Sequence, residues 1–200
     1  MRKLAVLVSG GGTNLQAIID ATLSGALPDV SVAVVVSNRR RAYALQRAAS
    51  HNIPTIYHPL KPYRDKGLSR AHYDADLAEK LESYGVELIV LAGWMHLFTM
   101  DFLKRYSQRV INIHPALPGT FPGMHAIQEA WDAYQAGDIT ETGVMVHYVP
   151  DEAVDDGPVI TQQIVDILPD DTVETLEERI HTVEYQLYVK AIKLALAEII

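Results

Sequence analysis

Short, continuous apolar runs rich in β-branched side chains alternate along the chain with stretches whose apolar residues recur every three or four positions. Residues 3–9 form such a run and end in Gly10-Gly11-Gly12, after which Leu15, Ile18, Ile19 and Leu23 keep helical spacing. This reads as strand, glycine loop, helix. Residues 30–37 are continuous and β-branched, as in a strand buried on both faces of a parallel sheet. A helix over 41–49, a short strand over 54–57 and a helix over 68–84 follow, the last closed by Gly85 in the manner of a C-terminal cap. Residues 86–92 read as a buried strand, 100–106 as a short helix and 109–113 as a further strand. Strands alternating with helices predict a doubly wound, Rossmann-like parallel sheet for the first half. Beyond it, 126–136 is helical, Gly137-Asp138 breaks the pattern, and 143–149 and 158–167 read as two strands with no helix between them, hence an antiparallel pair. From Thr172 to the end, Leu176, Ile180, Val183 and Leu187 trace one long amphipathic helix. No repeat, low-complexity tract or linker interrupts the 200 residues, so a single unit over 1–200 is expected.

Composition narrows the function classes. The chain has no cysteine, which excludes disulfides, thiolate metal sites and cysteine nucleophiles. Its formal net charge of −8 argues against nucleic acid as a partner, because that binding rests on clustered Lys and Arg. No apolar run approaches the roughly 20 residues that span a bilayer, and the start lacks a secretory cleavage pattern, so a soluble, cytoplasmic protein is expected. The eight histidines show no ligand spacing, and no metal is expected.

Two constellations carry candidate chemistry. Ser9-Gly10-Gly11-Gly12-Thr13-Asn14 lies at a strand-to-helix turn, where backbone N–H groups and the helix dipole favour a phosphate without a cation. The pattern is not a dinucleotide fingerprint, since Leu15 holds the third glycine position, nor a P-loop, since no Gly-Lys-Ser/Thr follows. A glycine turn with no ligand is the plainer alternative. Arg39, Arg40 and Arg41 read as a solvated face. The second constellation is Asn112 and His114, two apart at a strand end closed by Pro115 and therefore on one face. Should the acidic turn at Asp155 fold back over them, imidazole, carboxylate and amide form a general acid/base with a hydrogen-bond donor for a developing oxyanion. Without a Gly-x-Ser-x-Gly elbow or a cysteine, direct acyl transfer to an amine is favoured over a covalent intermediate. Taken alone, Asp155 is equally a turn residue satisfying its own backbone.

Ser9-Gly10-Gly11-Gly12-Thr13-Asn14-Leu15, Asn112-Ile113-His114-Pro115, Pro122-Gly123-Met124-His125 and Val154-Asp155-Asp156-Gly157-Pro158, in that order, resemble the phosphoribosylglycinamide formyltransferases, folate-dependent enzymes of purine biosynthesis. The resemblance implies an α/β fold with a mixed, mainly parallel seven-stranded sheet flanked by helices. It implies formyl transfer from 10-formyltetrahydrofolate to the amine of glycinamide ribonucleotide, in a monomer or homodimer. It also implies a ribose phosphate on Gly11, Gly12, Thr13 and Asn14; catalytic Asn112, His114 and Asp155; and Glu184 at the amine. By helical position alone Glu184 borders the apolar face and reads as an exposed edge carboxylate. For the folate the resemblance points to Arg70, Met95, His96, Leu97, Phe98, Asn112 and the turn at Val154.

The chain departs from that pattern in three places. His96 stands where many members have arginine; Ala116-Leu117-Pro118-Gly119 replaces the commoner Ser-Leu-Leu-Pro; and one more residue precedes Asp155, which leaves Asp156 as the alternative carboxylate. Methionyl-tRNA formyltransferase and formyltetrahydrofolate hydrolase are weaker matches, since each is expected to carry a further domain. Outside the class, the rival is a sugar-phosphate-binding module that keeps the glycine loop without the chemistry.

Overall fold

The computed structural model describes residues 1–199. In chain order its elements are β1 (Arg2–Val8), α1 (Thr13–Leu23), β2 (Val30–Ser37), α2 (Tyr43–Ser50), β3 (Thr55–Tyr57), α3 (Lys61–Asp65), α4 (Arg70–Glu82), β4 (Leu88–Leu91), α5 (Met100–Leu103), β5 (Val110–His114), α6 (Ala126–Ala136), β6 (Glu141–Tyr148), β7 (Val159–Asp166) and α7 (Val173–Glu198). A 3-10 turn over Lys104–Tyr106 follows α5.

The strands form one seven-stranded sheet ordered β3-β2-β1-β4-β5-β6-β7. The first five are mutually parallel, and β6 and β7 are antiparallel additions beside β5. The seven-stranded mixed sheet agrees with the expectation from sequence. Its chain order also fixes where a ligand belongs. The path runs outward from β1 through β2 to β3, then returns to β4 on the other side of β1, making a switch point whose crevice opens at the strands' carboxyl ends.

Alternation along the strands builds two cores. Leu4, Val6, Val35, Val90, Ile111 and Val146 meet Leu15, Ile18, Ile180 and Tyr188 on one face. On the other, Ala5, Leu7, Val36, Ile89 and Val110 meet Tyr73, Leu77 and Phe102. Asn112 and His114 share the face of Val110, so at the end of β5 that apolar face gives way to polar groups.

Some boundaries move. The helix expected over 68–84 begins at Arg70, because the Ser69 side chain accepts the His72 N–H and caps it. Its last helical residue is Glu82, capped by Ser83; Gly85, with φ 64°, turns the chain beyond that cap. The helix expected from 41 starts at Tyr43. The five-residue α3 was not anticipated: it buries no residue and contains Pro62, so it leaves no periodic trace. At the other end α7 opens with a reciprocal cap between Thr172 and Thr175 and stops at Glu198; Ile200, included in the sequence expectation, lies outside the described residues. Among the described residues no helix is long and apolar enough to cross a membrane.

Candidate functional site

At the switch point a cleft of about 560 Å³ opens across the carboxyl ends of β1, β4 and β5 and is closed from above by the β6–β7 connection. It is lined by the glycine loop at one end, by 94–98 after β4 at the other, and between them by Asn112, His114, His147, Asp155 and Glu184. Pockets of this size hold small-molecule ligands.

Asp155 reaches the end of β5. Its Oδ2 lies 3.3 Å from His114 Nδ1 and accepts the Gly123 N–H at 3.0 Å, while its Oδ1 accepts from Asn112 Nδ2 at 3.1 Å. The neighbouring Asp156 is exposed. Of the two carboxylates left open by sequence, Asp155 is therefore the one at the imidazole. It is held with φ 53°, a left-handed conformation that Asp tolerates better than most residues. The turn returns over Gly157, where a Cβ would overlap the Tyr148 carbonyl oxygen.

The ring of His114 is 3% exposed. Its Nε2 lies 2.9 Å from the Phe121 carbonyl oxygen and its Nδ1 3.3 Å from Asp155 Oδ2, so both ring nitrogens face groups that only accept. Burial pushes the pKa of His114 below the ordinary histidine value, against the pull of the Asp155 carboxylate and the Phe121 carbonyl. Burial also works against the charge on Asp155, but the His147 ring, the Gly123 amide and His114 outweigh it and hold the carboxyl below the usual range. A neutral imidazole beside an ionised carboxylate is the protonation state of a general base. Asn112 Nδ2 donates to Asp155 Oδ1 and lies 3.2 Å from His147 Nε2, which itself stands 3.5 Å from the same carboxylate oxygen. His147 itself was missed, although its place opposite Asn112 in the β5–β6 pairing would have marked it once register was known.

At the other end, Gly12 precedes α1 with φ 75°, and a Cβ there would stand 2.6 Å from the Ala44 Cβ of α2. Gly10 and Gly11 face open space. The first backbone N–H groups of α1 therefore border the cleft without side-chain cover. Asn14 Nδ2 donates to Glu184 Oε2 at 3.0 Å, joining the glycine loop to α7. Glu184 is 6% exposed, which corrects its reading as an exposed edge carboxylate: the apolar stripe of α7 is wide enough to take it in. Burial raises its pKa, opposed by the Asn14 hydrogen bond and by His181.

The remaining expected residues divide. Met95, Leu97 and Val154 are exposed apolar side chains at the cleft mouth, whereas Phe98 is buried and stacks on Phe102 at 4.0 Å. His96 Nε2 accepts from Asn38 Nδ2 at 2.9 Å, and burial with Arg70, Arg64 and Arg39 nearby lowers its pKa to about 4. His96 is thus neutral and cannot supply the charge of an arginine. Its Nδ1, Trp94 Nε1 and Asn38 Oδ1 are buried without a protein partner. Arg70 does not line the cleft. It pairs with buried Asp74 at 2.9 Å and donates to the Leu97 carbonyl, so it braces the 95–98 loop from behind. Arg39, Arg40 and Arg41 are exposed, and Arg39 borders the cleft. No group of three or more His, Asp or Glu among the described residues is placed to hold a metal ion.

Comparison with known proteins agrees with this architecture. Residues 2–192 match the formyl transferase family. The chain is 50% identical over 196 residues to phosphoribosylglycinamide formyltransferase of Schizosaccharomyces pombe, covering 94% of each chain. It is 44% identical to the protein of that name from Dictyostelium discoideum, covering 96% of each. Among solved structures, glycinamide ribonucleotide transformylase 1 from Symbiobacterium toebii superposes with a TM-score of 0.89 at 41% identity, over 98% of this chain and 89% of that one.

Proposed function

The chain belongs to the formyl transferase family, and on that footing we propose that it transfers the formyl group of 10-formyltetrahydrofolate to the amine of glycinamide ribonucleotide, a step of purine biosynthesis. The observation that carries this reading is the convergence of His114, Asn112 and Asp155 midway along a cleft that has a bare helix start at one end and an apolar mouth at the other.

The ribose phosphate lies on the N–H groups of Gly11, Gly12, Thr13 and Asn14, where the helix dipole offsets its charge. The glycinamide amine then falls near Glu184, which the Asn14 hydrogen bond holds in place. Met95, Leu97 and Val154 cover the folate ring system. In the reaction the amine nitrogen attacks the formyl carbon, the bond from that carbon to the folate N10 breaks, one proton leaves the amine and one arrives at N10. His114, neutral and steered by Asp155, takes the first proton and returns it to the leaving nitrogen. With its own proton on Nδ1 toward Asp155, its Nε2 turns from the Phe121 carbonyl to the substrate and offers the lone pair that the step needs.

Turnover with a formyl-folate analogue whose absorbance changes on losing its formyl group tests the assignment. His114→Ala is expected to lower kcat by about 10² to 10⁴, with little change in either KM. Full activity in that variant removes His114 from the mechanism; no ribonucleotide-dependent turnover in the native protein removes the function.

A further inference from the structure

The carbonyl oxygens of the three loop glycines all have donors within the protein. Gly10 accepts the Ala44 N–H from the first turn of α2 at 3.2 Å, Gly12 accepts the Gln16 N–H that starts the α1 ladder at 3.0 Å, and Gly11 accepts Arg47 Nε at 2.9 Å. Among the described residues, the N–H groups of Gly11 and Gly12 donate to no protein group. A trans peptide points its C=O and N–H in opposite directions, so holding one sets the other. The bond from Arg47 thus decides where the Gly12 N–H points, as those from Ala44 and Gln16 do for Gly11 and Thr13. Of the three peptides only this one is held by a side chain, and it is flanked by glycine on both sides, with no Cβ to bar its rotation. Arg47 is itself fixed: its Nη1 donates to Gln16 Oε1 at 3.2 Å, the Gln16 nitrogen being turned to Asp20 Oδ1, and its guanidinium carbon lies 4.9 Å from the centre of the Tyr43 ring. Arg47 does not line the cleft, so it acts through the loop and not on a ligand.

We propose that Arg47 is a positioning residue for the anion cradle: by holding the Gly11 carbonyl it keeps the Gly12 N–H turned to the cleft for a phosphate ester. Released from Arg47, the peptide can rotate and present its oxygen instead, which repels an anion. Two substitutions separate this role from that of a nearby charge. Glutamine places its amide nitrogen as many bonds from Cα as Arg47 Nε and carries no charge, whereas lysine keeps the charge and places a methylene there. The identity of the ester as the ribonucleotide rests on the proposed function; the set of the peptide does not.

Inorganic phosphate titrated into ¹⁵N-labelled protein reads the cradle directly. In the native protein the Gly12 amide signal should shift on binding; in Arg47→Met that shift should be lost while the Thr13 signal still responds, and Arg47→Gln should restore it. In turnover, Arg47→Met should raise KM for the ribonucleotide about 10-fold with kcat and the folate KM unchanged, Arg47→Gln should recover most of that loss and Arg47→Lys little of it. Should the methionine variant not fold, glutamine against lysine carries the same comparison. Recovery by lysine and not by glutamine, or a Gly12 response in Arg47→Met equal to the native one, overturns the proposal and leaves the cradle standing. A native Gly12 signal indifferent to phosphate overturns both. A Gly12 response that depends on Arg47 in a protein without formyl transfer sinks the proposed function alone.

Discussion

Glu184 carries its carboxylate on the inner side of α7 with one hydrogen bond, from Asn14. Because burial raises its pKa in the fold, the sign of its contribution follows: relative to the unfolded chain, its stabilising effect is present below the ordinary glutamate value and is lost as pH rises through the folded value. Above that window the fold holds a charge it would be more stable without. Glu184→Gln keeps an oxygen for Asn14 and removes the charge. The variant is expected to melt a few degrees above the native protein at pH 8, with the gain shrinking toward pH 4, while losing turnover. Thermal unfolding at the two pH values checks this, and an equal shift at both would show that charge burial is not the cause. On the proposed function, a residue so placed trades stability for an amine partner of raised proton affinity.

Between β1 and α1, three successive glycines have two different jobs. Gly12 is fixed by backbone and packing, since φ 75° and the contact with Ala44 both exclude a side chain. Gly12→Val should therefore destabilise the fold by about 2 kcal/mol or more, as a strained left-handed backbone does. Gly11 faces open space, so Gly11→Val leaves the packing alone and crowds the anion cradle. It should raise KM for the ribonucleotide at least tenfold and leave KM for the folate near its native value; urea unfolding and two-substrate kinetics on the pair test the division. At this scale much was legible in the sequence, because the central strands and the long helices bury apolar sets that survive as a pattern. The short α3 buries nothing and left none. His147 and the inward position of Glu184 were not legible either, since one depends on the register of β6 against β5 and the other on how α7 is rotated against the sheet. Arg70 illustrates the converse: its residue type suited a ligand, but buried Asp74 took the guanidinium.

Across the whole molecule the site draws on residues from Gly11 to Glu184, so no contiguous piece of the chain contains it. The glycine-loop end rests on the parallel interior of the sheet, whose strands are buried on both faces. The loop that delivers Asp155 instead hangs between β6 and the outermost strand β7, whose Val159 and Ile164 are exposed. Local openings begin where few apolar contacts hold the backbone. In a urea titration, formyl transfer is expected to decline at lower denaturant than far-ultraviolet circular dichroism, with ribonucleotide binding following the dichroism; coincident loss of all three would mean that the border opens only with the rest. A sample bruised at that margin would pass every bulk test of integrity and still be chemically silent, because its carboxylate is tethered beside an edge strand with no neighbour on the far side.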